Sequence, residues 1–229
     1  MNSSYFNTGI YTVRDAAQLT DVSTGRIRRW LRGYRYRSRN KAYASSPLWH
    51  GQWEPTDHSV SLGFLDLIEI RFVDAFLKAG VSWATLRQAR ERAGEIFRVS
   101  HPFCTQMFMT DGREIFVELH QATGEAGLLD IVRRQQVFAQ IVKPFLKDLE
   151  FAKQGGVLRW WPLGTGRQVV LDPTRNFGRP IVDRHGVPTE ILARATSACG
   201  GSLGEVSRWY EVPEKEISDA VEFEQRLAA

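Results

Sequence analysis

Eight basic side chains stand in a window of sixteen residues that contains no acid: Arg26, Arg28, Arg29, Arg32, Arg35, Arg37, Arg39 and Lys41. Trp30, Tyr34 and Tyr36 are interleaved with them. Guanidinium groups fork onto phosphate oxygens or onto the edge of guanine, and cationic contacts dominate affinity for duplexes. This chemistry addresses a polyanion. The other end of the chain is its inverse. Residues 1–55 hold nine basic against three acidic residues, a net of +6, whereas residues 201–229 hold three against seven, a net of −4. Such asymmetry implies two ends with two kinds of partner, which the overall charge of +4 understates.

The segment Tyr11 to Leu31 positions the basic cluster, and it reads as two short helices around a tight turn. Ala17 is small enough for a close crossing, and Val13, Leu19, Val22, Ile27 and Leu31 supply an apolar seam. Asp21 tolerates a left-handed turn conformation and Ser23 caps the helix that follows. This is helix-turn-helix geometry, in which the second helix, Thr24–Leu31, enters the major groove with its N-terminal residues at base edges. On that geometry Thr24, Gly25, Arg26 and Arg28 are base-reading candidates, in a DNA-binding set that also includes Ser23, Arg29 and Arg32. Arg35, Arg37, Arg39 and Lys41 are placed to contact the phosphate backbone. For DNA contact, Trp30 and the neighbouring guanidinium groups must lie on an accessible face.

With its Tyr11-Thr12-Val13 entry, this segment resembles the N-terminal DNA-binding motif of MerR-like regulators. Helix Leu62–Ala79 and the Gly80-Val81-Ser82 junction resemble the next helices of that fold. Two departures stand out: Asp21 occupies the place of the usual turn glycine, and the segment before the next helix is far longer than a standard wing.

Further along, Leu62, Leu65, Ile68, Phe72, Ala75, Phe76 and Ala79 recur at helical steps, which predicts an amphipathic helix. Gly80 is placed to stop it, and Ser82 to cap a second helix running to about Phe97. Met107-Phe108-Met109, Asp111-Gly112 and Ile115-Phe116-Val117 together predict a tight β-hairpin. Residues 135–149 read as helix, kinked or restarted at Pro144. Residues 35–60 read as an arginine-rich loop whose make-up suits folding on binding.

After a glycine-rich stretch from Gln154 to Arg167, three short helices are expected at Pro188–Ala195, Leu203–Tyr210 and Glu214–Leu227. Asp172-Pro173, Phe177-Gly178-Arg179-Pro180-Ile181-Val182, Gly186-Val187-Pro188-Thr189, Gly201-Ser202-Leu203 and Trp209-Tyr210 occur in that order. With Val221-Glu222-Phe223-Glu224 they resemble a bacterial domain family of unknown function found in VapB-like antitoxins. Together with the N-terminal motif, the whole chain resembles a two-domain VapB-like antitoxin. That resemblance implies a partner, a PIN-like ribonuclease toxin that the antitoxin binds and silences, and repression of its own promoter. The helix in the second recognition position carries Glu214, Glu216, Asp219, Glu222 and Glu224, which would repel phosphates. Trp209, Tyr210, Glu214, Ile217, Val221 and Phe223 are therefore candidates for toxin binding or dimerisation.

The fold expected is mainly α with small β elements: a MerR-like helix-turn-helix domain over 1–151, a linker over 152–167, and a trihelical, homeodomain-like domain over 168–229. Cys104 and Cys199 match no zinc spacing, and His101, His120 and His185 read as satisfied or surface histidines. Gly164-Thr165-Gly166 lacks the lysine of a phosphate loop and reads as a turn, and Trp160-Trp161 as an apolar strand or interface. No nucleophile–base–orienter set is readable, so no catalysis, cofactor or metal is expected. The polar Met1–Ile10 segment predicts no signal peptide, and no apolar run is long enough for a membrane span, so a cytoplasmic protein is expected. Two-fold operators favour a homodimer on duplex DNA. The alternative is a free-standing MerR-like transcription regulator that senses a small ligand through residues 61–151.

Overall fold

In a computed structural model of the chain, residues 8–38, 41–53, 60–123, 135–153 and 155–228 are described. Two units are distinguished, an N-terminal unit spanning Tyr11–Lys143 and a C-terminal unit made of residues 1–10 and 144–229.

Thr12 opens the N-terminal unit at the end of a two-residue strand, β1 (Tyr11–Thr12). Its side chain caps α1 (Val13–Thr20) by accepting the Asp15 N–H at 3.1 Å, and the Asp15 carboxylate accepts the Thr12 N–H at 2.8 Å in return. This reciprocal box satisfies two otherwise orphaned donors and fixes the helix start. There follow α2 (Thr24–Arg32), a hairpin of β2 (Tyr34–Ser38) and β3 (Lys41–Ser45), and β4 (Ser61–Leu62), which pairs antiparallel with β1.

The helix α3 (Phe64–Lys78) is the centre of this unit. The expected amphipathic stripe becomes burial on nearly every side: Leu67, Ile68, Ile70, Phe72, Val73 and Phe76 are fully buried, so are Asp66 and Glu69, and Asp74 is buried as well. Polar residues can occupy such a helix only when partnered. Glu69 accepts the Phe103 N–H at 3.1 Å and lies 3.4 Å from the Arg90 guanidinium, while burial pushes its carboxyl above the usual range. Ala79 and Gly80 close the helix, Gly80 with φ +89°, and Ser82 caps α4 (Trp83–Phe97), as its sequence predicts.

The hairpin expected over residues 107–117 is corrected by the structure. These residues lie within one helix, α5 (Gln106–Thr123). Phe108, Met109, Gly112, Ile115 and Phe116 are buried at helical spacing, while Met107 is exposed. The local turn signal of Asp111-Gly112 yields to that burial, and a Cβ at Gly112 would stand only 2.8 Å from the Phe108 ring. Phe72, Phe76, Phe103, Phe108, Phe116 and Phe138 form one aromatic core, with Phe103 and Phe108 4.5 Å apart and Phe76 edge-on to Phe108. Phe138 comes from α6 (Gln135–Asp148), a single helix with Pro144 inside it.

In the C-terminal unit, β5 (Leu149–Phe151) pairs with β6 (Val157–Trp160), and β7 (Val169–Val170) with β8 (Ile181–Val182). Trp160 and Trp161 are buried, and their indole N–H groups donate to Asp148 and Glu150. Three helices follow: α7 (Thr189–Ala198), α8 (Leu203–Tyr210) and α9 (Glu214–Ala228). Pro188 is the residue before α7 rather than its first turn. Val182, Leu192, Val206, Val212, Ile217 and Ala220 make the core. The architecture is thus mainly helical with small antiparallel sheets. Among the described residues no helix is long and apolar enough to cross a membrane.

Candidate nucleic-acid interface

The turn between α1 and α2 is built on Asp21, whose φ of 56° and ψ of 33° are left-handed, as expected of a turn residue with a short polar side chain. Ser23 caps α2, accepting the Arg26 N–H at 3.4 Å. One side of α2 is committed to the interior through Ile27 and Trp30. The opposite side, at steps of three and four, exposes Gly25, Arg28, Arg29 and Arg32, while Thr24 and Arg26 are half-buried.

Trp30 is a correction to the sequence reading, which placed it on the accessible face with its neighbours. It is 5% exposed and its ring stacks on Trp83 of α4 at 6.2 Å. Arg26 covers Trp30 at 5.0 Å, and Arg87 covers Trp83 at 5.7 Å. Arg26 also forms an ion pair with the buried carboxylate of Asp74 at 2.8 Å, which Lys78 reaches at the same distance. This Arg–Trp–Trp–Arg stack docks α2 on α3 and α4. The tryptophan packs inward, and Arg28, Arg29 and Arg32 point out.

Residues 35–60, expected as a loop, contain a β-hairpin wing. Its register sets Tyr36 opposite Tyr43, so Tyr34, Tyr36 and Tyr43 share one face, and Arg35 and Arg37, opposite Ala44 and Ala42, share the other. The Tyr36 and Tyr43 rings stack at 5.3 Å, and Arg29 of α2 lies 5.9 Å from the Tyr34 ring. Arg35 and Arg37 are exposed; Arg39 and the side chain of Lys41 lie outside the described residues. Below the wing, the Leu48 N–H donates to the Trp30 carbonyl at 2.7 Å, and Arg87 donates to the carbonyls of Ser46 and Pro47. The chain is then seized by Asp66. This fully buried carboxylate accepts the Trp49 indole N–H and the N–H groups of Gln52 and Gly63, all at 2.8 Å, and meets His101 Nε2 at 2.8 Å.

Sequence reasoning missed Asp66, Asp74, Trp83 and Arg87. A local signal existed for Asp66 alone, a carboxylate in the first turn of a helix, where acids favour the exposed amides. Asp74 and Trp83 have partners one helical turn away, Lys78 and Arg87, but the contacts that tie them and Arg87 to α2 and the wing, through Arg26, Trp30, Ser46 and Pro47, lie far away in sequence.

The C-terminal candidates separate by burial. Trp209 is 64% exposed, Tyr210 is partly exposed and Glu214 is exposed; Val221 is half-buried, and Ile217 and Phe223 are buried core residues. The acids of α9 are largely engaged within their own unit. Asp219 and Glu222 accept from Arg167 at 2.6 and 2.5 Å, Glu216 meets His185 at 2.9 Å, and Glu224 accepts from the Thr189 hydroxyl. Hydrogen bonding from Arg167 holds the Glu222 carboxyl below its usual range, and burial pushes that of Glu224 up. The α8–α9 corner repeats the α1–α2 design, with Glu211 left-handed at φ 55° where Asp21 stands in the first. Its second helix, however, presents neither a basic stripe nor a free acidic one.

Two helices around a left-handed turn, an outward arginine stripe and a β-hairpin wing define a winged helix-turn-helix domain. Residues 9–90 match the family described as "Putative DNA-binding HTH domain". The chain is 28% identical over 229 residues to the "Putative antitoxin VapB45" of Mycobacterium tuberculosis, covering 95% of this chain and 94% of that protein. The X-ray crystal structure of Rv2018 from Mycobacterium tuberculosis is similar with a TM-score of 0.70 and 25% identity, over 94% of this chain and 98% of that one.

Proposed function

We propose that this chain is the antitoxin of a type II toxin–antitoxin pair, that it neutralises a PIN-like ribonuclease toxin by direct binding, and that it represses its own operon as a homodimer on a two-fold operator. The full-length similarity to an antitoxin supports the first part. The observation that carries DNA binding is the outward stripe of Arg28, Arg29 and Arg32 beside a wing whose Arg35 and Arg37 are exposed. In this reading α2 lies in the major groove with Arg28 at base edges, joined by Gly25, whose missing side chain allows close approach. The wing arginines, with Arg39 and Lys41, contact the phosphate backbone. Arg26, with Ser23 at the cap, holds α2 in place, so of the base-reading candidates it is the one assigned a structural role.

The test is a gel-shift series over a range of salt concentrations. Arg28→Ala should lose about 1–3 kcal/mol of discrimination at one base position, whereas Arg37→Ala should weaken all sequences evenly and lower the salt slope by about one. Wild-type behaviour of both variants would overturn the assignment. Co-purification with the product of the neighbouring reading frame tests the antitoxin half separately.

A further inference from the structure

Asn176, Phe177 and Gly178 follow one another in left-handed backbone, at φ 44°, 54° and 80°. Glycine adopts this region freely, and asparagine visits it; for a bulky L-residue such as phenylalanine it is an outlier. No compensating burial is present, because Phe177 is 64% exposed. The turn is nevertheless locked from several sides. The Asp172 carboxylate accepts the Thr174 N–H at 2.9 Å and the Arg159 guanidinium at 2.9 Å. Arg175 reaches both the carboxylate and the carbonyl of Asp183, at 2.7 and 2.5 Å. The Phe177 carbonyl accepts the Ile10 N–H at 3.0 Å. Strained backbone persists only where its surroundings over-determine it, and such positions gather at binding and switching sites.

From this geometry we infer that Phe177 is a prebuilt anchor for a protein partner, seating its ring in an apolar pocket bordered by carboxylates. The inference rests on the antitoxin reading, and the partner is the toxin polypeptide. An aromatic ring held rigidly in its binding pose loses little freedom on association, which is what a hot-spot residue requires. The acidic border follows from Arg179 and Arg184, which are exposed and carry no ion pair among the described residues. A protein partner rather than duplex DNA is favoured at this site because the exposed group is an apolar ring, which a phosphate backbone does not reward and a protein interface does.

The experiment compares the full-length chain with its Phe177→Ala and Phe177→Gly variants, titrated calorimetrically against the purified product of the neighbouring reading frame. Both variants should bind about 30-fold more weakly. Phe177→Gly should melt at or above the wild-type temperature, since glycine relieves the left-handed strain, and both variants should retain wild-type DNA affinity. Arg179→Glu should slow association with the same partner. Wild-type binding by both Phe177 variants overturns the anchor while leaving the antitoxin reading intact. A lowered melting temperature for Phe177→Gly, accompanied by weaker DNA binding, also overturns it by showing a structural role. If the wild-type chain itself fails to bind the neighbouring product, the antitoxin reading falls and the anchor with it.

Discussion

Asp66→Ala is expected to be the most damaging single substitution in the N-terminal unit, lowering its stability by about 3–5 kcal/mol, the usual cost of removing one partner from a buried charged network. The carboxylate is wholly buried, and its loss orphans the Trp49 indole N–H, the Gln52 and Gly63 amides and the His101 ring nitrogen together. An unmade hydrogen bond in the interior costs the full desolvation of the group left behind, and the methyl group of alanine offers no substitute. Urea denaturation should show the midpoint falling with the slope unchanged. Asp66→Asn should fall between the two, because its single carbonyl oxygen can serve some of the donors while its NH₂ group opposes the rest. DNA affinity should fall with stability, since Trp49 and Gln52 tether the chain where it returns from the wing. A midpoint for Asp66→Ala within a few tenths of a molar of wild type would show that the donors find other partners.

What was legible in the sequence was local. Asp21, Ser23 and Ser82 act on backbone three residues away or less, and each terminates or starts a helix as its type dictates. The helix-turn-helix could be read because its whole geometry lies within Tyr11–Arg32. Two misreadings came from giving a local signal priority over a periodic one. Asp111-Gly112 favours a turn, but the burial of Phe108, Met109, Ile115 and Phe116 is spaced for a helix, and that apolar area outweighs the turn preference. In Tyr34-Arg35-Tyr36-Arg37 the alternation of period two was the signal of a strand, hidden beneath the conspicuous charge.

The remaining failures concern direction. Composition places Trp30 and seven arginines in a single basic, aromatic cluster; only the fold buries Trp30, lays Arg26 over its ring and assigns Arg28, Arg29 and Arg32 to the surface. The acids of α9 are the same problem in reverse. Counted along the sequence, they make a repelling face, yet Arg167 and His185, far from them in sequence, turn most of them inward. Net charge per segment was therefore a sound guide to the N-terminal end and a poor one to the C-terminal helix, because pairing consumed it.

Gly33→Ala should disable the wing and leave the rest of the N-terminal unit folded. Gly33 ends α2 at φ 70° and ψ −175°, a combination open essentially to glycine alone. A Cβ built there would stand 2.2 Å from the Ser45 carbonyl oxygen and 3.0 Å from the Ser46 carbonyl carbon, both backbone atoms that cannot swing aside. The hairpin must open at its base, at a cost of roughly 3 kcal/mol when the backbone strain is joined by the overlap. Asp66, Trp49 and the stack of Trp30 on Trp83 do not depend on that contact, so helix content should persist. Amide exchange in residues 34–45 should accelerate while that of α3 stays protected. The wing arginines would lose their fixed positions, and DNA affinity should fall roughly 100-fold at moderate salt, with a shallower salt slope. If Gly33→Ala keeps the wing amides protected and the salt slope intact, Arg35 and Arg37 are not held for phosphate contact by this hairpin.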